Sequence, residues 1–238
     1  MLIDGGGSYN DRFDAGRYVV APFLWHERIG TIDTVVLTHP HPDHANGLPY
    51  ILDNFEVKEV WTNGDETLVD WGTPLVEKMK QIGIVPRLLT SKTAPIEVGG
   101  VQIAVLNPGK GPVSGEALSD REINERAIVL QFRWGNTAFL LPSDIGEPTE
   151  STLASRHKDL QSGVLLAPHH GSPYSGSQRF LQAVRPATVI ISTGRSVRDD
   201  VLERYRQTGS AVFRTDVHGA VRVSTDGRLH EVVPFKNP

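Results

Sequence analysis

The chain has 238 residues, 39% of them hydrophobic and 22% charged, and no cysteine. That composition supports a packed core and excludes disulfide scaffolds, thiolate metal sites and cysteine nucleophiles. Its formal net charge is -4, and its longest apolar runs, such as Val164 to Ala167, are strand-length, far short of the roughly 20 residues of a bilayer-spanning helix. The charge is uneven: residues 1–159 carry 14 Lys+Arg against 22 Asp+Glu, and residues 160–238 carry 10 against 6, which reads either as ordinary variation over a solvated surface or as an anionic substrate approaching from the Arg-rich C-terminal part. Met1-Leu2-Ile3-Asp4 and the three glycines after it lack the basic head and apolar stretch of an export signal.

Short β-branched or Leu-rich runs alternate with longer amphipathic stretches, which predicts sheets covered by helices in one domain over 1–238. In chain order, a helix is expected over Arg17 to Ile29, a buried strand at Thr34 to Thr38, a helix at Ala45 to Leu52 and a strand at Val57 to Trp61. A helix over Glu66 to Ile82 follows, with Leu68, Leu75, Met79 and Ile82 at near-helical spacing as core residues. After a strand at Val101 to Leu106, the Pro/Gly-rich stretch Asn107 to Asn124, including Ser114 and Gly115, reads as a long loop. Strands are then expected at Ala127 to Phe132, Thr137 to Leu141, Gly163 to Ala167, Thr188 to Ser192 and Ala211 to Arg214, and helices at Pro148 to Arg156, Ser177 to Val184 and Arg198 to Thr208. Ala220 to Ser224 and Leu229 to Val233 bracket Asp226-Gly227 and predict a closing hairpin.

The chemistry sits at predicted strand ends. His39-Pro40-His41-Pro42-Asp43-His44 places three imidazoles and a carboxylate within six residues, directly after the first buried strand. Residues two apart at a strand end point the same way, so His39 and His41 can hold one cation, while Asp43 and His44, at the turn into the next helix, can reach a second. The two prolines restrict the loop. Asp144 ends the Thr137–Leu141 strand region, where a carboxylate can bridge two ions, although Glu147 three residues later also allows a helix-capping role. His169-His170-Gly171-Ser172 ends the Gly163–Ala167 strand, with a structural role for the two histidines as the alternative. His218 beside Asp216 is read as a turn residue, and Ser172 lacks the surroundings of a nucleophile elbow.

With these motifs the chain resembles the metallo-β-lactamase superfamily, whose pattern runs H-x-H-x-D-H, a metal-bridging Asp and a final His. Within it, the chain is similar to the C-terminal hydrolase-like domain of ComEC-type DNA-internalisation proteins of natural competence. The likeness is carried by Leu2-Ile3-Asp4-Gly5-Gly6, Phe13-Asp14-Ala15-Gly16, Pro22-Phe23-Leu24, Thr38 to Gly47 and Asn124 to Leu130. It continues through Asp144, Pro168 to Ser172, Ile191 to Gly194 and Arg214-Thr215-Asp216 with Gly219.

The resemblance implies an α/β, four-layer αββα sandwich with two divalent ions, Zn or Mn. His39 and His41 would bind the first ion, Asp43 and His44 the second, and Asp144 both; His169 would complete the second, with His170 the other candidate for that place. Asn124-Glu125-Arg126 stands where many superfamily hydrolases supply another histidine, and an amide oxygen suits Mn²⁺ or Mg²⁺ better than Zn²⁺. Ser143 replaces the usual glycine before the bridging Asp. Family domains normally begin with one or two further strands, so a fragment of a longer membrane protein is expected. That protein would lie in the cytoplasmic membrane, with this domain on the outer face, joined to a membrane channel.

The activity implied is phosphodiester hydrolysis by a nuclease acting on single-stranded DNA; in it Asp43 would orient the attacking water, His170 is either the proton donor to the leaving oxygen or a supporting or exposed histidine, and Tyr174 either stacks a base or is an ordinary loop aromatic. Two rival readings stand beside it: an acyl hydrolase for a lactam, thioester or lactone, and a non-catalytic, metal-stabilised module that binds DNA or its membrane partner.

Overall fold

The computed structural model describes residues 1–9, 13–112 and 118–236, so Ser114 and Gly115 of the expected loop lie outside the described residues. The chain folds as two compact units, one formed by Met1–Lys92 with Pro108–Ile128 and the other by Thr93–Asn107 with Val129–Pro238. Among the described residues no helix is long and apolar enough to cross a membrane.

The first unit is built on a four-stranded parallel sheet in the order β1 (Leu2–Ile3), β2 (Thr31–Val36), β3 (Glu56–Thr62), β4 (Arg87–Leu88). Its helices are α1 (Ala21–His26), α2 (Pro42–Ala45), α3 (Leu48–Asn54), α4 (Thr73–Gln81) and α5 (Asp120–Glu125). Strand β2 needs a near-continuous apolar run because parallel sheets are covered on both faces. Val35 and Leu37 accordingly join Ala21, Leu24, Leu48, Ile51, Leu75 and Met79 in one core cluster.

The expected helices of this unit are interrupted. The stretch 17–29 holds a π-helical turn (Gly16–Val20) running into α1, 45–52 is divided between α2 and α3, and 66–82 begins with two short 3₁₀ turns before α4. Leu75 and Met79 are core residues as expected, whereas Ile82 falls at the end of α4 and is 43% exposed. Contrary to the expected loop, residues 120–125 form α5.

The second unit carries a seven-stranded sheet in the order β11-β10-β9-β8-β7-β6-β5, formed by β5 (Ile96–Val98), β6 (Val101–Asn107), β7 (Val129–Trp134), β8 (Thr137–Leu141), β9 (Val164–Leu166), β10 (Thr188–Ile191) and β11 (Ala211–Arg214). The half from β5 to β8 is antiparallel, as short connections allow; from β8 to β11 it is parallel. Crossover segments there contain α6 (Glu147–Arg156), α7 (Gln178–Val184) and α8 (Asp199–Arg206), and α9 (Thr215–His218) leads to the expected antiparallel hairpin, β12 (Val221–Thr225) and β13 (His230–Pro234).

Candidate metal centre

In the first unit the chain leaves β2 through buried Leu37 and Thr38 and enters the histidine-rich turn. Pro42 occupies the first turn of α2, where its missing N–H costs no helical hydrogen bond. His39, His41 and His44 are buried and Asp43 is half-buried.

A single carboxylate organises this turn. Asp4, just after β1, accepts hydrogen bonds from the Thr38 amide at 2.8 Å, the Thr38 hydroxyl at 2.9 Å and His44 Nδ1 at 2.7 Å. The Thr38 hydroxyl, its proton given to Asp4, is left to accept from His39 Nδ1 at 3.1 Å. Both His39 and His44 therefore carry their proton on Nδ1 and a lone pair on Nε2, as metal-binding imidazoles with a carboxylate or hydroxyl behind them do.

His39 Nε2 lies 3.1 Å from His41 Nδ1. Two imidazole nitrogens that close need a shared proton or a shared cation between them; a tetrahedral ion with bonds of about 2.0–2.1 Å would hold them roughly 3.4 Å apart. The outer nitrogen of His41, Nε2, faces Asp120 Oδ1 at 3.7 Å. One helical turn further along α5, on the same face as Asp120, Asn124 Oδ1 is buried and accepts no hydrogen bond among the described residues. An orphaned acceptor of this kind is costly without a donor or a cation. The donor set thus fits a divalent ion.

Helix α5 is held in place from several directions. Arg126 makes a bidentate pair with buried Asp65 at 2.7 and 2.8 Å, Asn63 donates to the Arg126 carbonyl at 3.0 Å, and the Ile128 amide donates to the Thr38 carbonyl at 2.9 Å. Asp4→Asn is expected to weaken divalent-ion binding by about 10- to 100-fold with the fold retained, as read by competition with a chelating dye. Unchanged affinity would remove Asp4 from this role.

In the second unit Asp144 follows β8 and is 3% exposed. Helix α6 begins at Glu147 with Gly146 as its N-cap and no side-chain cap, so Asp144 is not engaged in capping it. His170 Nε2 and His169 Nε2 lie 3.5 and 3.8 Å from Asp144 Oδ2, and the His169 amide donates to the Ser143 carbonyl at 2.9 Å. His170 Nδ1 donates to the Ser192 carbonyl at 2.9 Å, which leaves its lone pair on Nε2, on the side of Asp144.

Six described non-glycine residues adopt positive φ; Asp4 (58°), Ser143 (54°), His169 (50°) and His170 (55°) are four of them. Such conformations cost on the order of 1–3 kcal/mol each and persist where surrounding contacts over-determine them. The value at Ser143 explains why glycine would suit that position.

The structure thus brings His39, His41 and His44 together in one unit and Asp144, His169 and His170 together in the other, with Asp43 on the first turn of α2. Two contributors escape notice in the sequence. Asp4 gives no local signal, because its partners lie 34 and 40 residues away. Asp120 was detectable: Ser119 and Glu122 form the capping box that starts α5, with Ser119 Oγ accepting from the Glu122 amide at 3.3 Å and Glu122 accepting from the Ser119 amide at 2.9 Å.

Among relatives, ComE operon protein 3 of Bacillus subtilis is 25% identical over 244 residues, covering 96% of this chain and 30% of that protein. Recombination protein 2 of Haemophilus influenzae is 28% identical over 229 residues, covering 94% of this chain and 26% of the relative. The chain therefore spans less than a third of these relatives' length, and they bear out the resemblance to ComEC-type proteins. Among solved structures, the metallo-beta-lactamase fold protein YhfI of Bacillus subtilis aligns with a TM-score of 0.50 at 12% identity, covering 89% of this chain and 82% of that one, and shows the same mixed α/β fold. The family model of the metallo-beta-lactamase superfamily matches residues 1–195, a span that takes in the His39–His44 turn, Asp4, Asp144 and the His169–His170 pair, and the chain belongs to that superfamily.

Proposed function

We propose that the chain is a metal-dependent phosphodiesterase acting on single-stranded DNA, within a longer membrane protein of DNA uptake that places this domain on the outer face of the cytoplasmic membrane. In this reading the residues are assigned as the family pattern implies for a dinuclear centre. By that pattern His39 and His41, with the Asn124 amide oxygen, would hold the first ion, and Asp43, His44, Asp144 and one of the adjacent histidines the second, with Asp144 shared. The hydrogen bond from His170 Nδ1 to Ser192 favours His170 as that ligand, which leaves His169, 38% exposed at its side chain, as the proton donor to the leaving oxygen. This exchanges the two roles that the family pattern alone suggests.

When bound, two divalent ions polarise a phosphoryl oxygen and make water a stronger acid. The protein's own residues do the rest. Asp43 orients the attacking water, Asp4 keeps His44 and His39 in the metal-binding tautomer, and the strained backbone at His169 and His170 fixes both rings before substrate arrives.

The observation that carries the choice of phosphate over an acyl group is Asn124. Its buried, unpartnered amide oxygen makes the first site richer in oxygen than a histidine would, which favours Mn²⁺ or Mg²⁺, the ions suited to phosphate chemistry. The recombination name of the Haemophilus influenzae relative supports DNA as the substrate, and the excess of Arg and Lys after residue 160 supports an anionic one.

The test strips the purified chain with chelator, restores Mn²⁺ or Zn²⁺, and follows end-labelled single- and double-stranded DNA beside nitrocefin and a thioester. Cleavage of single strands restored best by Mn²⁺ is the expected result. Turnover of the acyl substrates alone, or a folded, metal-loaded protein that hydrolyses nothing, overturns the reading in favour of an acyl hydrolase or a binding module.

A further inference from the structure

The segment after the two adjacent histidines holds one aromatic ring out in water on a backbone that is tied down on every side. Tyr174 is 83% exposed. Its amide donates to the Ser172 hydroxyl at 3.3 Å, Arg204 of α8 donates to the Ser175 carbonyl at 2.6 Å and reaches the Pro173 carbonyl at 3.5 Å, and the Ser175 hydroxyl donates to the Pro168 carbonyl at 3.3 Å. Glu150 of α6, fully buried, accepts from the Gly176 amide and from the Ser177 amide at 2.8 Å. Gly176 has φ 69°, and a methyl group there would lie 2.6 Å from the Tyr205 hydroxyl oxygen, so the backbone can close down only with glycine at this place.

Burying a carboxylate is expensive, and desolvation pushes the Glu150 pKa up. Its carboxylate and the Arg204 guanidinium grip residues 173 and 175–177, which flank Tyr174, and not the backbone of His169 or His170. Loop tips that serve only as connections are the mobile parts of a fold; this one is held by a buried acid and an arginine. A preorganised aromatic face lowers the ordering cost of whatever stacks on it.

Cations lie close by. The His170 ring is hydrogen-bonded to the Ser192 carbonyl, and a methyl built on Gly171 would be 3.0 Å from Ile191 and 3.4 Å from Val197, so the segment 191–198 packs against the histidine turn. That segment carries Arg195 and Arg198, both exposed, the second in a bidentate pair with Asp200 at 2.9 and 2.8 Å. A fixed, exposed aromatic ring next to cations, four residues beyond His170, has the chemistry of a single-stranded nucleic-acid platform, in which the ring takes a base and the guanidinium groups take phosphates.

We infer that Tyr174 is the residue on which one nucleobase of the substrate strand stacks, so that cleavage selects strands that carry bases over bare sugar-phosphate. The inference rests on the phosphodiesterase reading above and adds to it a residue and a base requirement. Tyr174→Ala, Tyr174→Phe and Tyr174→Trp are compared with the unaltered chain on a single-stranded oligonucleotide, on a chain of abasic deoxyribose phosphates, and by fluorescence of a strand containing 2-aminopurine.

Tyr174→Ala is expected to raise KM for the oligonucleotide about tenfold or more, with kcat and bound metal unchanged, to cleave the abasic chain as the unaltered protein does, and to lose the quenching of 2-aminopurine. Tyr174→Phe and Tyr174→Trp restore KM and quenching. A Tyr174→Ala protein with unchanged KM and normal quenching overturns the inference and leaves the phosphodiesterase reading standing. So does one that loses kcat and metal with KM unchanged, since that is the signature of a residue that only supports the histidine turn. An unaltered protein that cleaves neither polymer and quenches nothing overturns both.

Discussion

Asp43→Ala protein is expected to lose metal-dependent cleavage of single-stranded DNA by on the order of 10³-fold while unfolding at the same temperature as the unaltered chain. The two parts of this expectation follow from where the side chain sits. His39, His41 and His44 are buried, whereas Asp43 is half-buried in the first turn of a four-residue helix whose buried members are Pro42, His44 and Ala45. Removing its carboxylate takes little from the core, so stability and activity separate at this position. At His39 they would not, because a cavity and a broken hydrogen-bond chain would accompany the lost ligand. Single-turnover cleavage with Mn²⁺, beside a thermal melt followed by circular dichroism, decides the matter. A variant within tenfold of the unaltered rate would exclude Asp43 from the reaction and shift support to the non-catalytic module.

Gly47→Ala should be the most damaging single methyl group in the first unit, lowering stability by about 3 kcal/mol or more or preventing folding. Gly5, Gly16 and Gly47 meet there backbone to backbone. The Gly47 amide donates to the Gly6 carbonyl at 2.9 Å and the Gly5 amide to the His44 carbonyl at 2.8 Å. A methyl group on Gly47 would overlap the Gly5 carbonyl oxygen and lie 2.6 Å from the Gly16 nitrogen, and one on Gly16 would lie 2.8 Å from the Gly47 carbonyl carbon. Backbone cannot rotate aside as a side chain can, so the strain spreads to the segment that carries Asp4. Loss of metal affinity should therefore accompany the loss of stability. Gly30 serves as the control: a methyl group there meets nothing within 4 Å, so Gly30→Ala should be neutral or slightly stabilising. Urea unfolding of the three proteins is the measurement, and a Gly47→Ala midpoint near that of the unaltered chain would show that this contact yields at low cost.

Elements with a local signature are legible in the sequence. Strands β8 and β11 fall where expected, and β12 and β13 close on Asp226-Gly227 as a hairpin, because period-2 patterns bounded by turn residues need no distant partner to be recognised. Strands β1 and β4 have two residues each, too few to show a period; they exist because β2 and β3 offer them free edges. The helix expected over 45–52 divides at Asn46 and Gly47 for a related reason. The close approach of Gly47 to Gly5 and Gly16 is a demand of packing, and it overrides the helical pattern on either side.

The residues of the candidate site were legible in the sequence: three histidines and an aspartate in one turn, a carboxylate after one strand and two histidines after another, each following a strand. Their roles were decided only by tertiary contacts. An imidazole binds a metal through the nitrogen that does not hold the proton, and the proton sits where its partner accepts it. For His44 that partner is Asp4, 40 residues earlier, and for His170 it is the Ser192 carbonyl, 22 residues later; the outer nitrogen of His41 faces Asp120 at 3.7 Å, on a helix from a stretch that reads as loop. Proximity in sequence determines which side chains can share a turn, but the tautomer each adopts depends on a neighbour that only the folded chain supplies.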